Sequence, residues 1–335
     1  MTDAALAEVM RGDRIESRHG GAAVVVDPDG RLVFSAGDVQ APEFPRSAVK
    51  ALLALPLLEG GAAGRLGLDD AELALACASH TGEARHVSVA ASMLHKAGRT
   101  EACLECGAHW PTSRTAANAL AAAGRAPGSL HNNCSGKHAG FICAAIDAGH
   151  DPTGYVRHDH PTMRAATAAL GELSGATLDD RNRAIDGCGI PTYAIPLAAL
   201  STAFARFGSG AGLSRDRASA AARLRAAAAS DPFLVAGRNR FDTRIMTLFG
   251  NRVFSKIGAE GIVVAAMPHL GLGFAVKCRD GAPRAAEVAM AALIAPHLTA
   301  AEREDPGFRE LLNPALTNWT GTRVGEIRSS LGQRV

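Results

Sequence analysis

Segments with strand character lie near both ends of this 335-residue chain, and helical patterns fill the stretch between them. Residues 22–37 are typical of a hairpin, because apolar runs flank the turn Asp27-Pro28-Asp29-Gly30. Residues 252–258 form a strand pattern, and a second hairpin with its turn at 269–271 follows. The intervening helical patterns cover residues 47–60, 71–148, 161–175 and 215–229, and a last helix begins at Ala285.

This order predicts an α/β (α+β) fold with one antiparallel sheet built from N- and C-terminal strands. Helices should flank the sheet, and a helical region should be inserted between the two sets of strands. We expect a single domain over 1–335, with a sheet part at about 18–50 and 250–335 and a helical part at about 70–230. The polar tail after Leu312 should lie on the surface and could add a final strand.

Composition excludes several classes of function. A hydrophobic content of 47% supports a sizeable core, while a net charge of +2 and 4% aromatic residues, with no basic stripe, argue against nucleic-acid binding. No segment has the length and apolarity of a membrane span, and the N-terminus lacks the apolar core of a signal peptide. Seven scattered cysteines, an odd number, argue against a disulfide framework. A cytoplasmic protein is expected.

Lysine is scarce, since only five of the 35 basic residues are lysines, and Lys50 follows Ser47 by three positions. On a helix these two side chains share a face, so the amine can reach the hydroxyl. A desolvated amine can take the serine proton and generate a nucleophile. The alternative is an ordinary helix start, with Ser47 as the N-cap and Lys50 in solvent.

Two cysteines have polar, glycine-rich neighbours. Cys134 lies in the run 131–140, together with Lys137 and His138, and Cys188 lies between glycines in the run 186–191. Two thiolates with a third ligand, either His138 or a neutral Lys137, would suit zinc. The alternative is a pair of thiols near tight turns.

Two shorter runs could also carry chemistry. Residues 79–83 read Ser-His-Thr-Gly-Glu after a helical segment, where Gly82 could instead be an ordinary helix cap. Lys256 precedes Ile257-Gly258 in a strand pattern, where it could protect a sheet edge or act in catalysis. The Lys-Ile-Gly order resembles the K-T-G strand of serine penicillin-recognising enzymes, but their S-D-N element has no match.

Together, five blocks resemble the class 3 (rhizobial-type) L-asparaginase family from about Arg18 to Leu298. The blocks are R-S-x-x-K at 46–50, S-H-T-G-E at 79–83, N-N-C-S-G-K-H at 132–138, D-G-C-G-I-P at 186–191 and K-I-G-A-E-G at 256–261. The resemblance implies a fold related to serine β-lactamases and glutaminases, a homodimer, and zinc held by Cys134, Lys137 and Cys188.

The resemblance further implies two Ser–Lys pairs, Ser47 with Lys50 and Ser79 with Lys256, which hydrolyse L-asparagine to L-aspartate and ammonia. Ser47 would attack, Lys50 would take its proton, and Ser79 with Lys256 would relay a proton to the leaving ammonia. The candidate substrate-binding residues are Arg46, His80, Asn133, His138 and Asp186. A penicillin-recognising hydrolase or peptidase and a non-enzymatic zinc-stabilised regulatory protein remain alternatives.

Overall fold

A computed structural model describes residues 3–331. The strands are β1 Ala4–Arg11, β2 Arg14–Val26, β3 Leu32–Ala36, β4 Pro42–Glu43, β5 Arg183–Ile185, β6 Pro191–Tyr193, β7 Ile195–Pro196, β8 Phe254–Ile257, β9 Ile262–Met267, β10 Leu272–Cys278, β11 Ala315–Thr317 and β12 Arg323–Ser329. The helices are α1 Lys50–Leu53, α2 Leu55–Glu59, α3 Ala62–Arg65, α4 Asp70–Ala76, α5 Ala84–Lys96, α6 Arg114–Ala122, α7 Ser135–Asp147, α8 Pro161–Ser174, α9 Leu197–Ser209, α10 Arg215–Ser230, α11 Pro232–Ala236, α12 Phe241–Phe249, α13 Pro283–Ile294, α14 Ala300–Arg303 and α15 Pro306–Leu312.

The chain forms two compact units. Unit 1 consists of residues 3–48, 194–211 and 255–331, and unit 2 consists of residues 49–193 and 212–254. Within residues 3–331 no helix is both long and apolar enough to cross a membrane.

Unit 1 contains an antiparallel sheet with strand order β11-β12-β1-β2-β10-β9-β8, and β3 also pairs with β2. The sheet built from both ends of the chain is therefore confirmed, including a final strand, β12. Both predicted hairpins are present, and the Gly30 N–H closes the first turn on the Asp27 carbonyl at 3.0 Å. All six residues of β9 are buried, which explains their continuous apolar run.

Helices α9 and α13 pack on this sheet. Gly273 of β10 lies directly under α9, since a Cβ added there would meet the Ser201 carbonyl oxygen at 2.0 Å. Phe274, the next residue, points to the opposite face, where its ring contacts His297 just beyond α13. The sheet is thus covered on both faces of β10, as expected for a strand with apolar residues at consecutive positions.

The structure adds strands that were not predicted, among them β1 and the short strands β4 to β7, and it divides one predicted helix. Strand β1 pairs with β2 and β12, although no strand was predicted at Ala4–Arg11. Its buried residues form two adjacent pairs, Leu6-Ala7 and Val9-Met10, so the sequence lacks the regular alternation that identifies a half-buried strand. The helix predicted from Ser47 is instead a 3-10 turn, Arg46–Val49, followed by α1 and α2. Pro56 is the second residue of α2, in the first turn where a helix tolerates proline, and its ring prevents α1 from continuing through it.

Unit 2 is mainly helical. Helix α7, which follows Cys134 directly, is deeply buried, since every residue from Ser135 to Cys143 is buried. It packs on α4, α5 and α8. Gly136 permits the contact with the end of α4, since a Cβ there would lie 2.4 Å from the Leu75 carbonyl oxygen. The glycine of the N-N-C-S-G-K-H block therefore sets how closely α7 approaches α4.

Candidate active site

Lys50 is the centre of a buried polar cluster in unit 2. It is the first residue of α1 and is only 1% exposed. Its Nζ donates hydrogen bonds to the Ala78 carbonyl at 2.7 Å, to Ser79 Oγ at 2.9 Å and to Cys134 Sγ at 3.1 Å. The alternative of a solvated Lys50 at a helix start is wrong, because all three bonds are made inside the protein.

The run that begins with Ser79 is not the end of a helix. Helix α4 ends at Ala76, and the Ser79 N–H donates to the Val235 carbonyl at 2.9 Å. The following His80 N–H donates to the Asn133 carbonyl at 3.1 Å. These two bonds place Ser79 beside the start of α7, where its hydroxyl meets Lys50. The hydroxyl of Ser79 thus accepts a hydrogen bond from Lys50, and its predicted pairing with Lys256 stays a prediction.

His80 has a positioning role in this arrangement. Its Nδ1 accepts from the Gly82 N–H at 3.1 Å, so the proton resides on Nε2, which lies 2.9 Å from Ser135 Oγ. Burial lowers the pKa of His80 well below its ordinary value, and the ring stacks on His86 at 4.8 Å. Both ring nitrogens already bind protein groups. A direct contact between His80 and substrate stays a prediction.

The two cysteines predicted to act together do meet. Cys134 precedes α7 directly, and Lys137, one turn later, donates from Nζ to Cys188 Sγ at 3.0 Å. Cys188 in turn hydrogen-bonds the Cys134 sulfur. Asn132 holds the Cys134 backbone, since its Oδ1 accepts from the Cys134 N–H at 2.8 Å. All three predicted zinc ligands are therefore neighbours in unit 2.

Electrostatics divides the two thiols into one anion and one neutral group. The hydrogen bond from Cys188, with the ammonium groups of Lys50 and Lys137, holds the pKa of Cys134 well below its usual range. The same bond and burial raise the pKa of Cys188. Burial opposes the charge of Lys137, but the two sulfurs outweigh it, and the pKa of Lys137 is raised.

The donor set fits zinc. Cys188 hydrogen-bonds both Lys137 Nζ and the Cys134 sulfur, and zinc prefers sulfur and nitrogen ligands in a tetrahedral arrangement. Binding would require Cys188 and Lys137 to lose the protons that they hold in this arrangement. Zinc at Cys134, Lys137 and Cys188 stays a prediction that this geometry supports.

Three further predicted residues lie around the cluster. Asn133 donates its N–H to His109 Nε2 at 3.0 Å. His138 is fully buried on α7, where its Nδ1 lies 2.7 Å from Tyr155 Oη and burial lowers its pKa. Asp186 belongs to the turn before Cys188, and its carboxylate accepts from the Gly187 N–H at 2.7 Å. The sequence pattern gave no indication of His109 or Tyr155, because neither lies in a motif.

Unit 1 carries the remaining candidates, Ser47, Arg46 and Lys256. Arg46 has a φ of 49°, a left-handed conformation that is uncommon outside glycine and often marks functional sites. Lys256 is fully buried in β8, and its Nζ donates to the Ile257 carbonyl at 2.8 Å. Edge protection is therefore not its role, because an edge lysine must reach solvent.

The end of β8 touches the turn that carries Ser47. A Cβ added at Gly258 would lie 2.6 Å from the Pro45 carbonyl oxygen and 3.2 Å from the Ala48 nitrogen. Only a glycine fits at this contact without displacing one of the two segments. The K-I-G block thus brings its strand against the serine turn of the R-S-x-x-K block within unit 1.

Comparison with known families decides the class of protein. A family model described as L-asparaginase II matches residues 7–329, which is nearly the whole chain. The chain belongs to the L-asparaginase II family. The family membership predicted from the five sequence blocks is confirmed, and this L-asparaginase II family protein is an asparaginase-like hydrolase.

Other comparisons are more distant. No curated protein matches the chain. A solved structure similar to this L-asparaginase II family member is a beta-lactamase from Mycobacterium bovis, with 14% sequence identity and a TM-score of 0.40. The match covers 83% of this chain and 95% of the other.

Proposed function

We propose that this protein hydrolyses the side-chain amide of L-asparagine to L-aspartate and ammonia through a serine ester. One observation carries the proposal: in a chain of the L-asparaginase II family, the buried Lys50 donates a hydrogen bond to Ser79 Oγ at 2.9 Å. An amine held against a serine hydroxyl and shielded from water is suited to proton transfer in acyl-transfer chemistry.

Ser47 is the proposed nucleophile. Its hydroxyl attacks the amide carbon, and a lysine amine in its neutral form accepts the hydroxyl proton. Lys50 follows Ser47 by three residues, and the strained Arg46 and the contact with Gly258 fix the turn that carries Ser47. A fixed turn favours attack, because a nucleophile must be held close to the reacting carbon.

The second serine completes the proton path. The tetrahedral intermediate collapses when the amide nitrogen accepts a proton and leaves as ammonia, and an ester to Ser47 remains. Ser79 Oγ is positioned by Lys50 to pass that proton and then to orient the water that hydrolyses the ester. Lys256 is the second buried amine of the proposal and supports the proton transfer in the later step.

Arg46 and Asp186 are the proposed partners of the α-carboxylate and α-amino groups of the substrate. The two charges are complementary to an amino-acid substrate, which carries both groups at neutral pH. The side-chain amide of Asn133 can form a hydrogen bond with one of these two substrate groups. His80 and His138 are neutral and buried, so we assign them to positioning these groups.

Cys134, Lys137 and Cys188 would hold zinc. When bound, zinc would compensate the negative charge of the Cys134 thiolate, whose sulfur lies 3.1 Å from Lys50 Nζ. A homodimer and a cytoplasmic location follow only from the family resemblance and composition, and they remain predictions.

Ammonia release from L-asparagine tests the function. Purified protein should release ammonia, and Ser47→Ala should lower kcat by about 10³-fold or more, since it removes the attacking atom. Ser88→Ala, an exposed serine on α5 whose Oγ only donates to the Arg85 carbonyl, is the matched control.

The outcome separates the proposal from the alternatives. Unchanged ammonia release in Ser47→Ala would contradict the nucleophile assignment. Hydrolysis of nitrocefin without any ammonia release from asparagine would instead favour a penicillin-recognising hydrolase. Absence of both activities in folded, zinc-loaded protein would favour the regulatory alternative.

A further inference from the structure

A second cluster of potential metal ligands lies in unit 1, on the face of the sheet that carries Phe274. The β2–β10 register pairs Gly21 with Cys278 and continues beyond the strand, where the Arg279 N–H donates to the Gly20 carbonyl at 2.8 Å. His19 on β2 therefore lies opposite Asp280. Because side chains alternate between the faces of a sheet, Cys278, Asp280 and His19 share one face.

The three side chains contact one another. His19 Nδ1 lies 2.6 Å from Asp280 Oδ2, and Cys278 Sγ donates to Asp280 Oδ1 at 2.9 Å. All three ligand atoms lie within 4.8 Å of one another. Among residues 3–331 this is the one group of three or more histidine, cysteine, aspartate or glutamate side chains whose ligand atoms lie this close together.

The cluster is enclosed on its inner side. Cys278 is fully buried, and Gly261 is packed so closely that a Cβ there would lie 2.9 Å from the Cys278 Cβ. His19 is 6% exposed, and its second ring nitrogen, Nε2, has no hydrogen-bond partner among the described residues. Asp280 is about half exposed, so a cation can enter from its side. Buried polar groups are normally hydrogen-bonded, so a buried imidazole with one unpaired nitrogen beside a thiol and a carboxylate is not explained by apolar packing.

We propose that His19, Cys278 and Asp280 form a second metal site, which binds a zinc-like divalent cation. A thiolate, a carboxylate and a neutral imidazole balance the two charges of the cation and match the ligand types that zinc accepts. Zinc–ligand lengths of about 2.0–2.3 Å at tetrahedral angles separate ligand atoms by roughly 3.3–3.8 Å. The two hydrogen bonds therefore open by roughly half to one ångström, and water completes the fourth position.

The site would tie β2 to the turn that precedes α13. Asp280 already accepts from the Ala282 N–H at 3.0 Å, and α13 begins at Pro283. A cation shared by His19 and Asp280 would add a link between strands whose residues are 261 positions apart in sequence. Its role is structural stabilisation, distinct from the cysteines of unit 2.

Cobalt(II) titration of metal-free, reduced protein tests the site, because thiolate ligation of cobalt gives a near-ultraviolet charge-transfer band. The titration uses the Cys134→Ser/Cys188→Ser double variant, which removes the thiols of the other predicted metal site. This variant should bind one cobalt per chain with a charge-transfer band. Adding Cys278→Ser should abolish both the band and stoichiometric binding, whereas adding Cys143→Ser, another buried thiol, should change neither.

Zinc stabilisation gives a second readout. Zinc(II) should raise the Tm of the double variant, and His19→Gln or Cys278→Ser should remove that rise while circular dichroism shows a folded chain. Failure of the double variant to bind cobalt, or binding that survives Cys278→Ser, would overturn the proposal. If Cys278→Ser does not fold, His19→Gln decides, and cobalt affinity unchanged in that variant would also overturn it.

Discussion

At the scale of single residues, Lys50 is the centre of the proposed chemistry. Its amine is held by a carbonyl, a hydroxyl and a sulfur, which use all three donors of an ammonium group. The Cys134 sulfur lies 3.1 Å from the amine, and its thiolate compensates the charge of this buried ammonium group. In the proposed mechanism the amine must release one proton before it can take the proton of Ser47.

We expect Lys50→Met to reduce kcat for ammonia release by about 10²–10⁴-fold, the range for loss of a general base. Methionine has a similar length but can neither accept the serine proton nor orient Ser79. Lys96→Met is the control, because Lys96 bonds Glu72 and the Gly67 carbonyl and is 29% exposed. A Lys50→Met enzyme with more than a tenth of wild-type kcat would exclude Lys50 as the base.

At the scale of elements, the contact between β8 and the 3-10 turn at Arg46–Val49 positions the proposed nucleophile. Both are short, and neither would hold Ser47 alone. Gly258 makes the contact possible, as any side chain there would collide with the Pro45 carbonyl. The order K-I-G after a buried strand therefore has a packing reason in addition to any chemical role of Lys256.

We expect Gly258→Ala to lower kcat by roughly tenfold or more, since displacement of a catalytic group by about 1 Å can cost about 10² in rate. Gly64→Ala on α3 is the matched control, because a Cβ there meets nothing within 4 Å among the described residues. Gly64→Ala should leave kcat unchanged and should stabilise the fold slightly, since alanine favours helix. Equal kcat values for the two variants would show that the contact does not position Ser47.

At the scale of the whole molecule, the ion pairs allow a prediction of how the stability of the fold depends on pH. Hydrogen bonds from arginines lower the pKa of several carboxylates, namely those of Glu8, Glu16, Asp147 and Asp179. When the pKa of a carboxylate is lower in the folded protein than in the unfolded chain, the ionised carboxylate stabilises the fold at pH values above its unfolded-state pKa. That contribution is lost as the pH falls through the folded pKa.

Asp147, the last residue of α7, is a suitable probe of this effect. Arg65 Nε donates to its Oδ1 at 2.7 Å and holds the pKa of Asp147 below the usual 3.8. Asp147→Asn should therefore lower Tm at pH 7, and the difference from wild type should shrink as the pH falls below about 3.8. Asp13→Asn, at the exposed β1–β2 turn, is the control. A Tm difference that stays constant from pH 7 to pH 3 would contradict the assignment.

Although it missed β1, the sequence alone determined the two hairpins, the strand before the second hairpin, the family and the motif residues. These depend on local turn chemistry and on the spacing of apolar residues, which act over a few positions. It also singled out Cys134 and Cys188 by their polar, glycine-rich neighbours, and the family resemblance implied that both bind zinc with Lys137.

Only the tertiary structure decided which groups meet. The pairing of Lys50 with Ser79 spans 29 positions, and that with Cys134 spans 84. The meeting of His19 with Asp280 depends on the register of β2 and β10, two strands from opposite ends of the chain. Such contacts follow from how helices pack and strands align, and a local sequence pattern carries little information on either, because many partners at such separations fit the same pattern.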